Sequence, residues 1–314
     1  MNKPYRVLAA LAAGALLALP VQAQQFINVL SGGTSGIYYP LGVSLTQIYG
    51  KAIPEAKATV QATKASAENL NLLQAGRGEI AWTLGDALSL AWKGDAEAGF
   101  KAPLNKLRGV SATYSNYIQI VASADSGIKS MADLKGKRIS VGAPKSGTEL
   151  NARAILKAAG LGYGDFAKVE YLPFGESVEL IKNRQLDVTL QSAGLGVASI
   201  RDLATSVSIV VVPIPADVVA KVGDAAYQSA IIPANTYQGQ AADVPTAVIP
   251  NFLVTHEGVS ADLVCKMAKS MYDNLDMMVA AHAAAKAIKR ENATKGMPLP
   301  LHPGAEKYYK NGAC

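Results

Sequence analysis

Two short stretches hold the residues best able to do chemistry. Residues 31–36 read SGGTSG and residues 145–148 read KSGT. Glycine removes Cβ atoms, so main-chain N–H groups can approach an anion, and neighbouring hydroxyls add donors. A helix that starts at such a loop contributes roughly half a positive charge. Each stretch therefore suits half of a small-anion site. Gly33 and Gly36 would keep the first loop open. Thr34 and Ser146 would donate from hydroxyls, and Ser35, Gly147 and Thr148 from backbone N–H groups. Tyr38, one helical turn on, either reaches the ligand with its hydroxyl or packs. Lys145 either adds charge or stays solvated.

Catalytic alternatives fit less well. Gly142 and Gly147 have the spacing of a phosphate-binding P-loop, but Thr148 stands where that motif needs lysine. Residues 194–196 read GLG after a strand, yet Ser199 replaces the third glycine of a dinucleotide fingerprint. No Gly-x-Ser-x-Gly elbow occurs. His256, His282 and His302 lie far apart and outside any metal-ligand spacing, so they read as surface or packing residues. A non-enzymatic binding role without cofactor or metal is expected.

An α/β framework must position these loops. Residues 26–30 read as a strand entering the first loop, and Tyr38, Leu41, Leu45 and Ile48 recur at helical spacing. A strand follows at 58–62. Ser66 then opens a helix, either as its N-cap or as a further ligand hydroxyl, and a third strand covers 80–84. The order recurs: strand 138–142, the second loop, a helix to Gly160, strand 169–172, a helix from Ser177 and strand 187–191. Gln191 and Ser192, at that strand's end, are expected to meet the ligand's far end. Ser35 and Ser146 are 111 positions apart, as are Ser66 and Ser177. Two lobes of like architecture follow, with ligand bound at the carboxyl ends of their strands. Extended stretches at 114–122 and 229–232 would cross between the lobes as a hinge. The expected division is 24–117 for lobe one, 118–232 for lobe two and 233–314 for a mostly helical return to lobe one.

The chain has 314 residues, 50% hydrophobic and 17% charged, enough for a two-lobed core. Residues 1–23 have the form of a secretory signal: Lys3 and Arg6, an apolar run over 7–19, then Val21-Gln22-Ala23, with cleavage expected after Ala23. Its removal takes two basic and no acidic residues, which lowers the formal charge from +6 to +4. The basic residues are scattered, which argues against nucleic-acid binding. A periplasmic, monomeric protein without stable membrane insertion is expected. Export permits a disulfide between Cys265 and Cys314, the only two cysteines.

Residues 32–42, GGTSGIYYPLG, resemble the N-terminal signature of the TAXI family, the extracytoplasmic solute receptors of TRAP-type secondary transporters. Residues 66–70 (SAENL), 130–142 (SMADLKGKRISVG), 146–148, 237–240 with 244–246, and 253–263 match in the family's order. The resemblance implies a type II periplasmic binding protein fold, no catalysis, and a membrane permease driven by an ion gradient. It also implies small organic-acid ligands such as glutamate or 2-oxoglutarate. Residues 187–192 read DVTLQS where that family carries an acidic-aromatic stretch, and Gly85 stands where glutamine or serine is common. Both are expected to face the cleft and to change its polarity. A binding protein of an ABC importer or sensor kinase is the alternative within the class. A secreted hydrolase is the alternative outside it.

Overall fold

The computed structural model describes residues 24–314; the expected leader, residues 1–23, lies outside the described residues. Lobe one begins with β1 (Gln25–Leu30), α1 (Tyr38–Ala52), β2 (Ala56–Gln61), α2 (Ser66–Gln74), β3 (Ile80–Leu84) and α3 (Gly85–Lys93). The long β4 (Leu107–Ser123) leads out of it. Lobe two then follows as β5 (Arg138–Ser140), α4 (Gly147–Ala158), β6 (Lys168–Glu170), α5 (Phe174–Lys182), β7 (Val188–Ala193), α6 (Ala198–Ser206), β8 (Ile209–Val212), α7 (Ala216–Lys221) and β9 (Gln228–Ile232). The chain returns along β10 (Val244–His256) and ends with α8 (Ala261–Asp273), α9 (Leu275–Ala281) and α10 (Pro303–Asn311).

The two lobes repeat one strand order. Lobe one reads β2-β1-β3-β10-β4, with β10 antiparallel to both neighbours. Lobe two reads β6-β5-β7-β4-β8, with β4 antiparallel to both neighbours. The first three strands of each lobe are parallel, because helices return the chain between them. The result is a two-lobed type II periplasmic binding protein fold.

Two strands cross between the lobes. One is β4, as expected: up to Tyr117 it pairs with β10, and from Tyr117 onward with β7. The second is β10, not the stretch at 229–232. That stretch is β9, and it only flanks the start of β10. The region expected to be mostly helical thus contains a 13-residue strand. Its strand pattern is masked by Pro245, Pro250 and Asn251. The fold accommodates Pro250 at a register shift against β4, while Ile249, Phe252, Leu253 and Val254 remain fully buried. Ser177 does not start its helix either; α5 begins at Phe174, and the Ser177 hydroxyl pairs with that of Ser140 at 2.7 Å.

Cys265 on α8 is bonded to Cys314, with Cα atoms 5.7 Å apart. The bond holds the chain terminus against the helices that close lobe one. Among the described residues, no helix is long and apolar enough to cross a membrane.

Candidate ligand site between the lobes

Asn69 sets the geometry of the lobe-one wall. It is fully buried, and its amide donates to the carbonyls of Ser31 (2.7 Å) and Trp82 (2.8 Å). It thereby ties the ends of β1 and β3 to the first turn of α2. Ser66, the first residue of α2, does not cap its own helix; its Oγ accepts from Leu84 N–H at 3.2 Å. The preceding residue, Ala65, has φ +69° and ψ −158°. Such a conformation costs an alanine about 1–3 kcal/mol and persists where the surroundings impose it. In lobe two, Gly142 holds φ +92°, and a Cβ there would lie 2.6 Å from the Thr148 methyl. The loop therefore folds tightly onto the start of α4. Ser146 is a true N-cap, its Oγ accepting from Glu149 N–H at 3.1 Å.

These walls enclose a cavity of about 100 Å³. The lobes are closed around it. Ser35 Oγ accepts from Gly175 N–H of lobe two at 3.0 Å, and Glu68 N–H donates to the Lys145 carbonyl at 3.2 Å. Gly147 of α4 packs directly on α2: a Cβ there would fall 2.5 Å from Ser66 Oγ and 2.6 Å from a Leu84 methyl. Away from the cavity, buried Asp86 of α3 accepts from Asn151 of α4 (2.6 Å) and from the Tyr227 hydroxyl (2.7 Å).

Of the residues expected at the site, Gly33, Ser35, Gly36, Tyr38, Ser66, Ser146, Gly147, Thr148 and Ser192 line this cavity. Thr34 does not: it is exposed on the turn, outside the cavity wall. Gln191 does not either. Adjacent strand side chains face opposite sides, so the Gln191 side chain points away from that of Ser192. Gln191 instead accepts from the Ser199 hydroxyl at 2.6 Å on the far face. Gly85 lies away from the cavity, where a Cβ would meet Phe252 at 2.9 Å. Lys145 is exposed and does not line the cavity; its backbone, at φ +62°, makes the interlobe contact. Gly33 needs no special freedom, since a Cβ there would meet nothing within 4 Å.

Tyr38 packs. Its ring stacks on Trp82 with centroids 5.6 Å apart, and its hydroxyl is spent on Asn251 Oδ1. Burial pushes its pKa far up, so it stays protonated. From Asn251 a chain of hydrogen bonds runs through Asn116 (2.7 Å) to the Ser192 carbonyl (2.8 Å). It joins α1, both crossing strands and β7.

Sequence reasoning missed Tyr114, Asn116, Lys64 and Phe174, all of which line the cavity. An asparagine within the extended stretch at 114–122 was a usable signal for Asn116; the others had none. All three histidines use Nδ1 to accept a nearby backbone N–H, from Gly258, Ala284 and Gly304. Burial lowers the pKa of each. Among the described residues, no group of three or more His, Cys, Asp or Glu side chains could hold a metal.

Solved structures share this architecture at low identity. PhnD1 from Prochlorococcus marinus, in complex with methylphosphonate, is 10% identical with a TM-score of 0.57, covering 85% of this chain and 92% of that one. A binding protein component of an ABC phosphonate transporter from Pseudomonas aeruginosa is 14% identical with a TM-score of 0.54, covering 85% and 80%. A putative L-cystine ABC transporter from Listeria monocytogenes is 15% identical with a TM-score of 0.51, covering 87% and 99%. At these identities the likeness is one of fold. The sequence profile of the NMT1-like family matches residues 29–312, and the chain belongs to that family.

Proposed function

We propose that the protein is an extracytoplasmic solute receptor, which closes its lobes over a small organic anion and presents the closed form to a membrane permease. The observation that carries this reading is the meeting of α2 and α4, from opposite lobes, at one cavity. Two helix N-termini, whose Ser66 and Ser146 hydroxyls each accept one backbone N–H and keep a proton to donate, form a ready anion site, and each lobe holds only half of it. The lobes part at Tyr117 on β4 and Val248 on β10, which are paired with each other. Lobe two then covers 118–248 rather than 118–232.

The fold neighbours whose names refer to ABC transport support an ABC-type importer as partner. The resemblance carried by residues 32–42 favours a second reading, a TRAP-type permease. Uptake in cells with a collapsed ion gradient and maintained ATP separates the two: it continues with an ABC importer and stops with a TRAP permease.

A melting-temperature screen of the purified protein against carboxylates and phosphonates tests the receptor role. A ligand at 100 times its dissociation constant adds about 2.7 kcal/mol, a shift of several degrees for a chain of this size. No shift with any of these anions would refute the reading.

Ser146 and Thr34 give a sharper contrast. A hydrogen bond to a charged group contributes about 1.5–3 kcal/mol. Ser146→Ala should weaken binding roughly 10- to 150-fold, and should lower the ligand-free melting temperature by a few degrees because the cap is also lost. Thr34→Ala should bind within threefold of the parent, a margin of about 0.6 kcal/mol. Calorimetric titration of both variants checks this.

A further inference from the structure

The chemistry of the cavity wall narrows the ligand. Resting on the receptor reading above, we propose that the solute is a small monocarboxylate bearing a hydroxyl or oxo group, not an α-amino acid or a dicarboxylate. Lys64, itself exposed, is the one charged residue lining the cavity among the described residues, and no acidic side chain lines it. An ammonium group would therefore enter a space where two helix N-termini and a lysine repel it and nothing accepts it. The α2 and α4 starts together match about one negative charge. The other pair of helix starts at the cavity is tied to itself, through Ser35 Oγ and Gly175 N–H. The remaining polar groups are neutral. Ser192 and Tyr114 are 4% and 3% exposed, and neither hydroxyl has a hydrogen-bond partner in the protein. Such groups are uncommon without a reason. Each can donate or accept, which suits a hydroxyl or carbonyl oxygen rather than a second carboxylate. Leu84 and Phe174 cover the apolar body between.

The test titrates the protein with 2-hydroxybutyrate, 2-oxobutyrate and butyrate, and with glutamate and 2-oxoglutarate. The hydroxy or oxo monocarboxylate should bind tightest. Ser192→Ala and Tyr114→Phe should each weaken it about 2- to 13-fold and leave butyrate unchanged. Tighter binding of glutamate or 2-oxoglutarate overturns the inference while leaving the receptor reading intact. Failure of every carboxylate and phosphonate to bind overturns both.

A separate observation lies on the other side of the lobe interface. Oδ2 of Asp86 takes both hydrogen bonds from lobe two, while Oδ1 of Asp86 and Oδ1 of Asn151 are buried without a partner. One proton satisfies both orphans. We propose that closure takes up a proton from solvent onto Asp86 Oδ1, which donates to Asn151 Oδ1 and completes a cyclic acid–amide pair across the lobes. Burial pushes the Asp86 pKa up to about 6, and the charge of Asp224 adds to the rise. Tyr227 and Asn151 touch Asp86, and Tyr38 is near enough to feel its charge. The groove beside it carries Arg153 and Lys157 on α4, Lys221 on α7, and Asp95 and Glu97 after α3. The closed form has the higher pKa, so closure is favoured as pH falls through about 6 towards 4, and that gain is absent above this window.

Titrating the protein with 2-hydroxybutyrate, or with whichever carboxylate or phosphonate of the screen binds tightest, at pH 5 in two buffers of different ionisation enthalpy reads the proton directly. The parent should take up most of one proton and bind more tightly at pH 5 than at pH 7. Asp86→Asn keeps an acceptor for both partners, so it should bind with no uptake and no pH dependence over this range. A parent without uptake, or a variant that retains it, overturns the assignment. If the variant fails to fold, a parent affinity that is flat from pH 7 to 5 does the same.

Discussion

Gly147→Val should abolish tight ligand binding without unfolding the protein. A Cβ alone at this position would fall 2.5 Å from Ser66 Oγ and 2.6 Å from Leu84 Cδ1, both on the opposite lobe. The clash therefore belongs to the closed form. Gly147 sits at the start of α4 and outside the positive-φ residues, so valine is not strained within its own lobe. Overpacking a tight contact by one or two methyl groups typically costs about 1–3 kcal/mol, and valine adds three carbons here. Affinity should fall at least ~100-fold, since 1.4 kcal/mol is a factor of ten. The ligand-free melting temperature should stay within a few degrees of the parent. Small-angle scattering should show the parent contracting on saturation with ligand and the variant remaining expanded. Gly33→Ala is the control: it lines the same cavity, has open space around it, and should bind like the parent. Unchanged affinity in Gly147→Val would mean that the ligand does not require this closure.

Cys314→Ser should produce the largest loss of stability. The bond to Cys265 spans 49 positions, and closing a loop of that size contributes about 4 kcal/mol in the chain-entropy model. For a chain of this length the melting temperature should fall by the order of 10 °C. Cys314 is the residue to replace, because it is exposed whereas Cys265 is fully buried. Truncating Cys265 would add a cavity to the loss of the bond. Reducing agent should lower the melting temperature of the parent and leave the variant unmoved. A variant that melts within two degrees of the parent, a difference of about 1 kcal/mol or less, would show that the bond carries little of the stability.

Much of this was legible because it is local. A glycine-rich turn before a helix, and a strand–helix order repeated at constant offset, can be read from neighbouring residues alone. They led to both cavity loops and to the two-lobed fold. Thr34 lies outside the cavity wall, since composition marks a turn without saying which side chains face inward. Gln191 and Ser192 were expected on one side against the alternation that any strand imposes, and the Gln191 side chain meets Ser199 instead. The second crossing strand was hidden by two prolines and an asparagine, which signal a break in a sequence; here Pro245 pairs in register with β9, Pro250 sits at a bulge and Asn251 in a buried relay. Tyr114 and Phe174 face each other's lobe only after both crossings have formed. No window of sequence holds that information.

The exchange of β4 and β10 between lobes also bears on the order in which the chain acquires structure. The β5 to β9 region of lobe two is one uninterrupted stretch, from Arg138 to Ile232, and β4, its antiparallel partner, directly precedes it. Lobe one is split: β3, paired with β1 on one side, lacks its other neighbour until β10 exists, and the outermost β4–β10 pair joins Leu107 to His256, 149 positions later. Long-range pairing is slow because loop-closure entropy must be overcome first. As the chain emerges, lobe two can form as a unit while the N-terminal half of lobe one stays open for most of synthesis. For the extracytoplasmic receptor proposed above, the leading segment would thus stay unfolded, and threadable through a membrane pore, until the last quarter of the chain arrives.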